Sequence, residues 1–522
     1  MDPKVDFVLP EVENSLPLWG IVRDCLAGQQ AVKKGKTKYV PQPNPADTST
    51  ENILRYDGYL TRGVFMNFTD RTLSGMVGAV FGKDAVATLP DELLMMYENV
   101  DGAAVTMDQQ AKQVLSDVIS IGRCGLLTDY PAREKPTSRL DVQSGKVRPT
   151  IQFYFAEQMI NHRYTVIDSL RVLTLVVLKE QYTIEDDGFE EKNGDQYRVL
   201  RLEDGKYTVT IYQKDADAKS GIRMVGGKLT PKKADGQPFD YIPFEFVGSD
   251  NNDAGVDSTP LLDLANLNIA HFRNSCDFEE MVYQLGQPTP VITGLSQDWV
   301  DNVLQGRVIL GSQKALMLPE DCDAFLLQID ESQLALAAME HKERQAVALG
   351  ARLVQSASVQ RTAKEAGMEE ASEQSLLLSS AKNVNSAYAR SLRSAALFAG
   401  AEITDDIGYA LNTDFDILRL DSPGRAQLLN EWQRGAVTFS EYRSILKRAG
   451  VATLSDEEAT AELDAEAETM AARMGLDPTL QNNGKPTDNN GPEAKPGTPV
   501  DRSRKARGQG TKNNGKKQGV KQ

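Results

Sequence analysis

Hydrophobic positions along the chain change period several times, and each change predicts an element. Between Thr106 and Gly125, Ala111, Val114, Leu115, Val118 and Ile119 recur at three- and four-residue spacing. That spacing predicts a helix starting near Thr106 or Asp108, with one buried stripe, ending at Gly122 or Gly125. Residues 1–136 read as mainly helical, interrupted by the proline-rich run Val40-Pro-Gln-Pro-Asn-Pro. After Pro136 the period becomes two. Tyr207, Val209 and Ile211 alternate with Thr208, Thr210 and Tyr212, and Asp204-Gly205 separates them from Tyr197-Arg-Val-Leu-Arg-Leu. This predicts a hairpin. Asp187-Gly188 and Asn193-Gly194 are further turn signals, so residues 150–247 read as antiparallel β structure.

From Asp250 to Gly400 the pattern is helix, compact β unit, helix, loop and long helix. The first helix is expected from Thr259 to Leu285, with Pro260 in its first turn, where a missing N–H costs nothing. Short apolar runs follow at Val291-Ile-Thr, Val308-Ile-Leu, Leu316-Met-Leu and Phe325-Leu-Leu-Gln-Ile. A short helix from Gln297 to Leu304, capped by Ser296, interrupts them. Glu331 to Leu349 returns to helical character. The last helix lies between Gly367 and Gly400 with no Gly or Pro inside. Its 32 residues would span roughly 48 Å, and a rod of that length is expected to need neighbouring subunits to bury its side chains. Beyond it, Phe415-Asp-Ile-Leu-Arg-Leu reads as a strand. Thr438-Phe-Ser-Glu441 and Ser455-Asp-Glu-Glu458 have capping-box spacing, the first ahead of a helix carrying Tyr442, Ile445 and Leu446, the second ahead of an acidic, alanine-rich helix ending near Met474.

Charge is unevenly spread. The net charge is −16, yet Gln481 to Gln522 holds ten Lys and Arg against three Asp and Glu, which leaves −23 on the remainder. An acidic body repels nucleic acid, because nonspecific DNA affinity comes from cations that displace counterions at phosphates. A simple DNA-gripping module is excluded, whereas a conduit through which a duplex slides is not. The Asn-, Gly-, Pro- and Lys-rich end reads as a disordered basic tail. With 522 residues, 40% of them hydrophobic, the chain can build several subdomains around a sizeable core. Neither a leader nor a membrane span is expected: Met1-Asp-Pro-Lys-Val-Asp lacks a basic-then-apolar pattern, and no segment approaches 18 continuous apolar residues. Cys25, Cys124, Cys276 and Cys322 are scattered and read as reduced structural thiols.

Candidate chemistry is sparse. Gly78-Ala-Val-Phe-Gly-Lys83 lacks the phosphate-loop spacing, and Asp84 stands where a Ser or Thr would hold magnesium, so it reads as a turn with a solvated lysine. Asp250-Asn-Asn-Asp-Ala-Gly255 begins like a calcium loop, but Ala254 and Leu261 occupy ligand positions, and a linker is the expectation. His162, His271 and His341 read as structural or surface residues. No nucleophile, metal or cofactor constellation is expected, and no enzyme activity.

The runs Tyr241-Ile-Pro-Phe-Glu-Phe, Pro260-Leu-Leu-Asp-Leu-Ala-Asn-Leu-Asn-Ile-Ala-His-Phe-Arg-Asn-Ser and Gly286-Gln-Pro-Thr-Pro-Val-Ile-Thr-Gly294 resemble the portal proteins of tailed bacteriophages. Gly350-Ala-Arg-Leu, Thr362-Ala-Lys-Glu-Ala366 and Gly435-Ala-Val-Thr-Phe-Ser440 fall where that family would place them, in a pattern covering roughly residues 20–470. The resemblance implies an α+β ring subunit. Its parts would be a helical wing (1–136), a β wing (137–258), a first stem helix (259–285), a small α/β clip (286–330) and a second stem helix (331–352). A tunnel loop (353–366), a long spine helix (367–400), a return strand (401–425), helical crown (426–475) and basic tail (476–522) would follow.

By the same resemblance the protein would form a homo-oligomeric ring, a dodecamer, at one capsid vertex of a virion assembled in the bacterial cytoplasm. Its partners would be the terminase large subunit, a head–tail adaptor, major capsid and scaffolding proteins, and double-stranded DNA passing through without sequence specificity. Gln355, Ser356, Ser358, Gln360, Arg361 and Lys364 would belong to the tunnel loop. Asp298, Asp301 and Gln305, polar neighbours on the short clip helix, would face the motor or adaptor, while Trp299 reads as an anchor of a small core. Another head–tail structural protein and, further off, a packaging enzyme are the alternatives.

Overall fold

The structure is a computed structural model that describes residues 4–130, 148–215, 221–286, 289–302, 318–319, 321–327, 333–354, 376–413, 422–434, 436–448 and a few positions between 458 and 465. The chain divides into two compact units, Met1–Phe415 and Asp416–Gln522. It mixes helices with antiparallel sheets, an α+β arrangement.

The first unit opens with helices α1 (Pro10–Leu26), α2 (Gln29–Lys34), α3 (Thr50–Arg62) and α4 (Phe68–Val80). A short strand β1 (Val86–Thr88) and the single-turn α5 (Met95–Glu98) precede α6 (Met107–Ile121). The α6 stripe is buried as the spacing requires, and a capping box starts the helix: the Gln109 N–H donates to Thr106 Oγ1 while the Thr106 N–H donates to Gln109 Oε1. Gly122 ends it with φ of 91°, where a side chain would meet the Ser258 carbonyl.

The helix ends at Gly122, one of the two expected positions, and a strand follows it within the stretch read as mainly helical. Arg123–Asp129 is strand β2, the centre of a three-stranded antiparallel sheet between β3 (Thr150–Phe155) and β9 (Phe244–Gly248). Packed on both faces, β2 has no alternation of polar and apolar residues to reveal it. A second antiparallel sheet is a meander of β4 (Met159–Ile167), β5 (Leu170–Asp186), β6 (Glu191–Glu203), β7 (Lys206–Lys214) and β8 (Ile222–Leu229). The Asp204-Gly205 hairpin forms as expected, with Glu203 opposite Lys206. Asn193-Gly194 is not a turn: it lies inside β6, opposite Thr183 and Tyr182, and the chain reverses at Asp187-Gly188 instead. Gly194 serves a close approach, because a Cβ there would come within 2.6 Å of the Ile184 side chain.

Helix α7 (Leu262–Gly286) follows a Thr259–Leu261 turn, so Pro260 precedes the helix and does not sit in its first turn. Next come β10 (Thr289–Thr293), the short α8 (Gln297–Asn302), β11 (Asp323–Leu327) and α9 (Leu334–Val354). Val308-Ile-Leu and Leu304 fall outside the described residues, as does the start of the long helix. That helix, α10, is described as Leu376–Ala399. Over these described residues one face is buried within its own unit. Leu377, Ala381, Val384, Tyr388, Leu392 and Ala395 are enclosed by β2, β9 and α6 of the same unit. Tyr388 donates to Gln110 Oε1 (3.0 Å), and Gln110 Nε2 donates to the Ile151 carbonyl (2.7 Å), whereas the buried hydroxyls of Ser380 and Ser391 on the same helix have no hydrogen-bond partner. Strand β12 (Gly408–Ala410) pairs with β1; the strand expected at Phe415–Leu420 lies outside the described residues.

In the second unit, α11 (Ser422–Gln433) and α12 (Phe439–Arg448) are joined through Trp432, which stacks on Tyr442 at 5.0 Å. The expected box forms: the Glu441 N–H donates to Thr438 Oγ1 and the Thr438 N–H to Glu441 Oε2. The Ser455 box and the tail from Gln481 onward lie outside the described residues.

Candidate functional site

The segment with the least ordinary architecture is the pair α7 and α9 with the insertion between them. Helix α7 is fastened to the body along one face. Asn268, fully buried, accepts from Phe68 N (2.9 Å) and Thr69 Oγ1 (3.1 Å) and donates to the Met66 carbonyl (2.7 Å), so one side chain satisfies the start of α4. Further along, Ser275 Oγ accepts from Val64 N, Tyr59 donates to Asp277 (2.6 Å), and Arg62 pairs with Glu280 while lying over Tyr283. Two polar contacts fasten α9 to α7: Lys342 to Asn274 (2.8 Å) and His271 Nε2 to Glu343 (3.3 Å). Burial keeps His271 below its ordinary pKa, so it is neutral near pH 7.

The insertion is a hairpin, Thr289 opposite Leu327 and Thr293 opposite Asp323, with α8 beyond it. Ser296 caps α8 through the Trp299 N–H (3.3 Å), as the sequence implied, and Trp299 is half-buried. Asp298 and Asp301 are exposed on α8, and Asp301 accepts from Gln297. Gln305 lies outside the described residues, as do Gln355, Ser356, Ser358, Gln360, Arg361 and Lys364. The described geometry therefore brings together Asp298 and Asp301 alone of the candidate contact residues.

Other sequence candidates resolve into structural roles. Gly78 sits inside α4, so its amide points along the helix and cannot cradle a phosphate. In Asp250–Gly255 the side chains turn inward: Asn251 accepts from Asp253 N and Asp253 from Gly255 N, while Asn252 donates to the Asn383 carbonyl on α10 (2.8 Å). Among the described residues no three His, Cys, Asp or Glu side chains are grouped to hold a metal ion, and no helix is long and apolar enough to cross a membrane. His341 is exposed on α9.

Sequence reasoning passed over Arg123, whose guanidinium is buried with none of its three nitrogens hydrogen-bonded. Burial lowers it to about 10, with Glu11 the foremost carboxylate acting against that shift. It lies over the Phe246 ring at 5.0 Å, and His162 meets the same ring edge-on. Burial, and then Arg123, depress His162 to about 4. Because the fold favours the neutral imidazole, its contribution is complete above pH 6.5 and is lost as pH falls towards 4. His162→Gln should therefore remove up to about 3 kcal/mol of the acid destabilisation seen across that window. Urea midpoints measured for both proteins between pH 7 and 4.5 check this, and a constant difference between them would refute it.

Comparison with known proteins adds a match over the same segment. Residues 260–399, about a quarter of the chain, match the family described as a domain of unknown function, DUF4055. No curated protein matches the sequence. Among solved structures, the chain is similar to one described as "Neck of empty GTA particle computed with C6 symmetry", at 14% identity and a TM-score of 0.35, covering 79% of this chain and 91% of the other.

Proposed function

We propose that this protein is a portal subunit, forming a ring at one vertex of a virus capsid through which double-stranded DNA is packaged, held and later released. One observation carries the reading: two paired helices, α7 and α9, bear a compact hairpin-and-helix insertion between them and are followed by the long helix α10. That order has a use in a tube, where paired helices line a wall and the insertion forms one mouth. Of the runs that resemble portal proteins, the one from Pro260 to Ser275 falls on α7 and Gly350-Ala-Arg-Leu on α9, and the −23 charge outside the tail suits a channel to which DNA must not adhere. In this reading the insertion is the clip, where Asp298 and Asp301 meet the terminase motor and then the head–tail adaptor. The tunnel loop would follow α9, from Gln355 to Ala366. Capsid and scaffolding proteins are the remaining partners, and no covalent chemistry or cofactor is assigned.

One face of α10 is buried within its own unit, and a closed ring needs only one heterologous contact repeated around an axis. The purified protein should form rings with a central hole, twelve subunits being the expected number. Native mass spectrometry and electron images at micromolar concentration test this. Monomers alone in several salt conditions would reject the portal reading and favour another head–tail structural role, and nucleotide hydrolysis by the isolated chain would point to a packaging enzyme.

A further inference from the structure

Strands β5 and β6 run on past the rest of their sheet. Strand β4 pairs with β5 only as far as Leu178, and β7 pairs with β6 only from Gln196, so residues 181–195 form a two-stranded arm with no third strand on either side. At about 3.3 Å per residue the arm reaches roughly 20 Å beyond the sheet. Its base is braced: Asp195 meets Lys179 (3.1 Å) and Lys214 (3.2 Å) and accepts from Gln181 (2.6 Å). At its tip the Asp187 carboxylate accepts from the N–H groups of Phe189 (2.8 Å) and Glu190 (2.6 Å), and Asp186 accepts from Gly188 (2.7 Å). Phe189 therefore stands fully exposed on a fixed turn, and no side chain of the arm joins either hydrophobic cluster of the unit among the described residues.

The arm is built against its own stability. Glu185, Asp186, Asp187, Glu190 and Glu191 face a single cation, Lys192, which is paired with Glu185 (2.6 Å), and the other four carboxylates make no ion pair among the described residues. Asp186 stands directly opposite Glu191 in the register, and like charges so placed weaken a strand pair. A ribbon of two strands is marginal in water even without that repulsion. Charge on a free edge is one defence against unwanted pairing, but a fully exposed phenylalanine at the tip works against that role. Local rules broken together at one exposed place mark a surface shaped for something else.

We infer that the arm is a docking element for a different protein, one whose surface is basic around an apolar recess: the recess takes the Phe189 ring, and the cations relieve the repulsion between Asp186 and Glu191. The fixed turn lowers the entropy such a contact would lose. Nucleic acid has the wrong charge for this tip. Another copy of this chain, at −23 outside its tail, is on average of the wrong sign too, and the basic end from Arg502 onward has Ala506 and Val520 as its only apolar side chains, too few to enclose a ring. The inference goes beyond the ring reading and rests on it only in taking the partner to be a protein of the same particle.

Hydrogen exchange on the purified full-length protein makes the first check. Amides of residues 182–194 should exchange faster than those of Val176 to Leu178 in the same sheet, and Asp186→Asn combined with Glu191→Gln should slow them about 2- to 5-fold. An arm as protected as the sheet, or indifferent to the double substitution, would remove the case for a missing partner. The second check places photoreactive benzoylphenylalanine at position 189 of the full chain and irradiates assembled particles. It should cross-link to one other polypeptide through a segment of net positive charge, and Phe189→Ser, which alters only an exposed tip, should weaken that association roughly 10-fold or more while leaving the fold intact. No cross-link in particles that contain the chain, or a cross-link to another copy or to an acidic segment, would overturn the inference and leave the ring reading standing. Particles that lack the unmodified chain altogether would defeat the ring reading, and the inference with it.

Discussion

Replacing Asp117 with Ala should destabilise the first unit by about 3 kcal/mol, more than any surface ion pair could. Asp117 is on α6, with its side chain 6% exposed, and both its oxygens accept from the terminal nitrogens of Arg23 on α1 at 2.7 Å. Arg23 also donates to Glu157 beyond β3, at 2.9 and 3.2 Å, and its guanidinium lies over Phe155. Burial works against the Arg23 charge, but the hydrogen bonds to Asp117 and Glu157 outweigh it and hold the guanidinium above its ordinary pKa. Removing Asp117 leaves a largely desolvated cation with one partner in place of two. Removing both charges is a different matter: Arg23→Met with Asp117→Leu should lie closer to wild type, because no group is left unmatched. Lys36→Ala, which breaks an exposed pair with Asp57, should shift stability by less than about 0.5 kcal/mol. Denaturant midpoints at constant slope measure all three. An Asp117→Ala protein as stable as the Lys36→Ala protein would show that the Arg23 network contributes nothing.

That network illustrates what the sequence could and could not reveal. Helix α6 was readable because its stripe and its Thr106 cap are local, within the reach of three or four residues. Strand β2, immediately after it, was not, because burial on both faces removes the alternation by which a strand is recognised. Asn193-Gly194 carried a genuine turn composition, yet the glycine is there to admit Ile184 from the paired strand, a requirement visible only once register is known. The end of α10 before Gly400 could be anticipated from uninterrupted helix formers, but its burial depends on β2 and β9, which lie more than 100 residues earlier in the chain. Separation in sequence likewise hid Arg123 and the Arg23–Asp117 pair, whose members are 94 residues apart. By contrast the short helix carrying Asp298 and Asp301, and its Ser296 cap, could be read in advance because both signals are local.

Replacing residues 289–327 with a short Gly-Ser linker should leave ring formation intact and reduce packaged DNA to background. The geometry favours a clean deletion. Thr289 stands opposite Leu327 in the β10–β11 pair, so the two ends of the insertion are about 5 Å apart and a few residues can rejoin them. Strands β10 and β11 make their close contacts with each other, while α7 and α9 are fastened without them. Asn268, Ser275, Asp277 and Glu280 tie α7 to the body, and Asn274 and His271 tie α9 to α7. If the insertion is the surface that docks the packaging motor, its loss removes docking and spares assembly. The double variant Asp298→Lys and Asp301→Lys should act in the same direction through charge alone, since inverting two exposed carboxylates turns an attraction for a basic partner into repulsion. Electron images of the purified variants report ring integrity, and encapsidated DNA mass reports packaging. Wild-type DNA content in particles carrying the linker would mean that the motor docks elsewhere, and the functional assignment of the insertion, together with Asp298 and Asp301, would have to be abandoned.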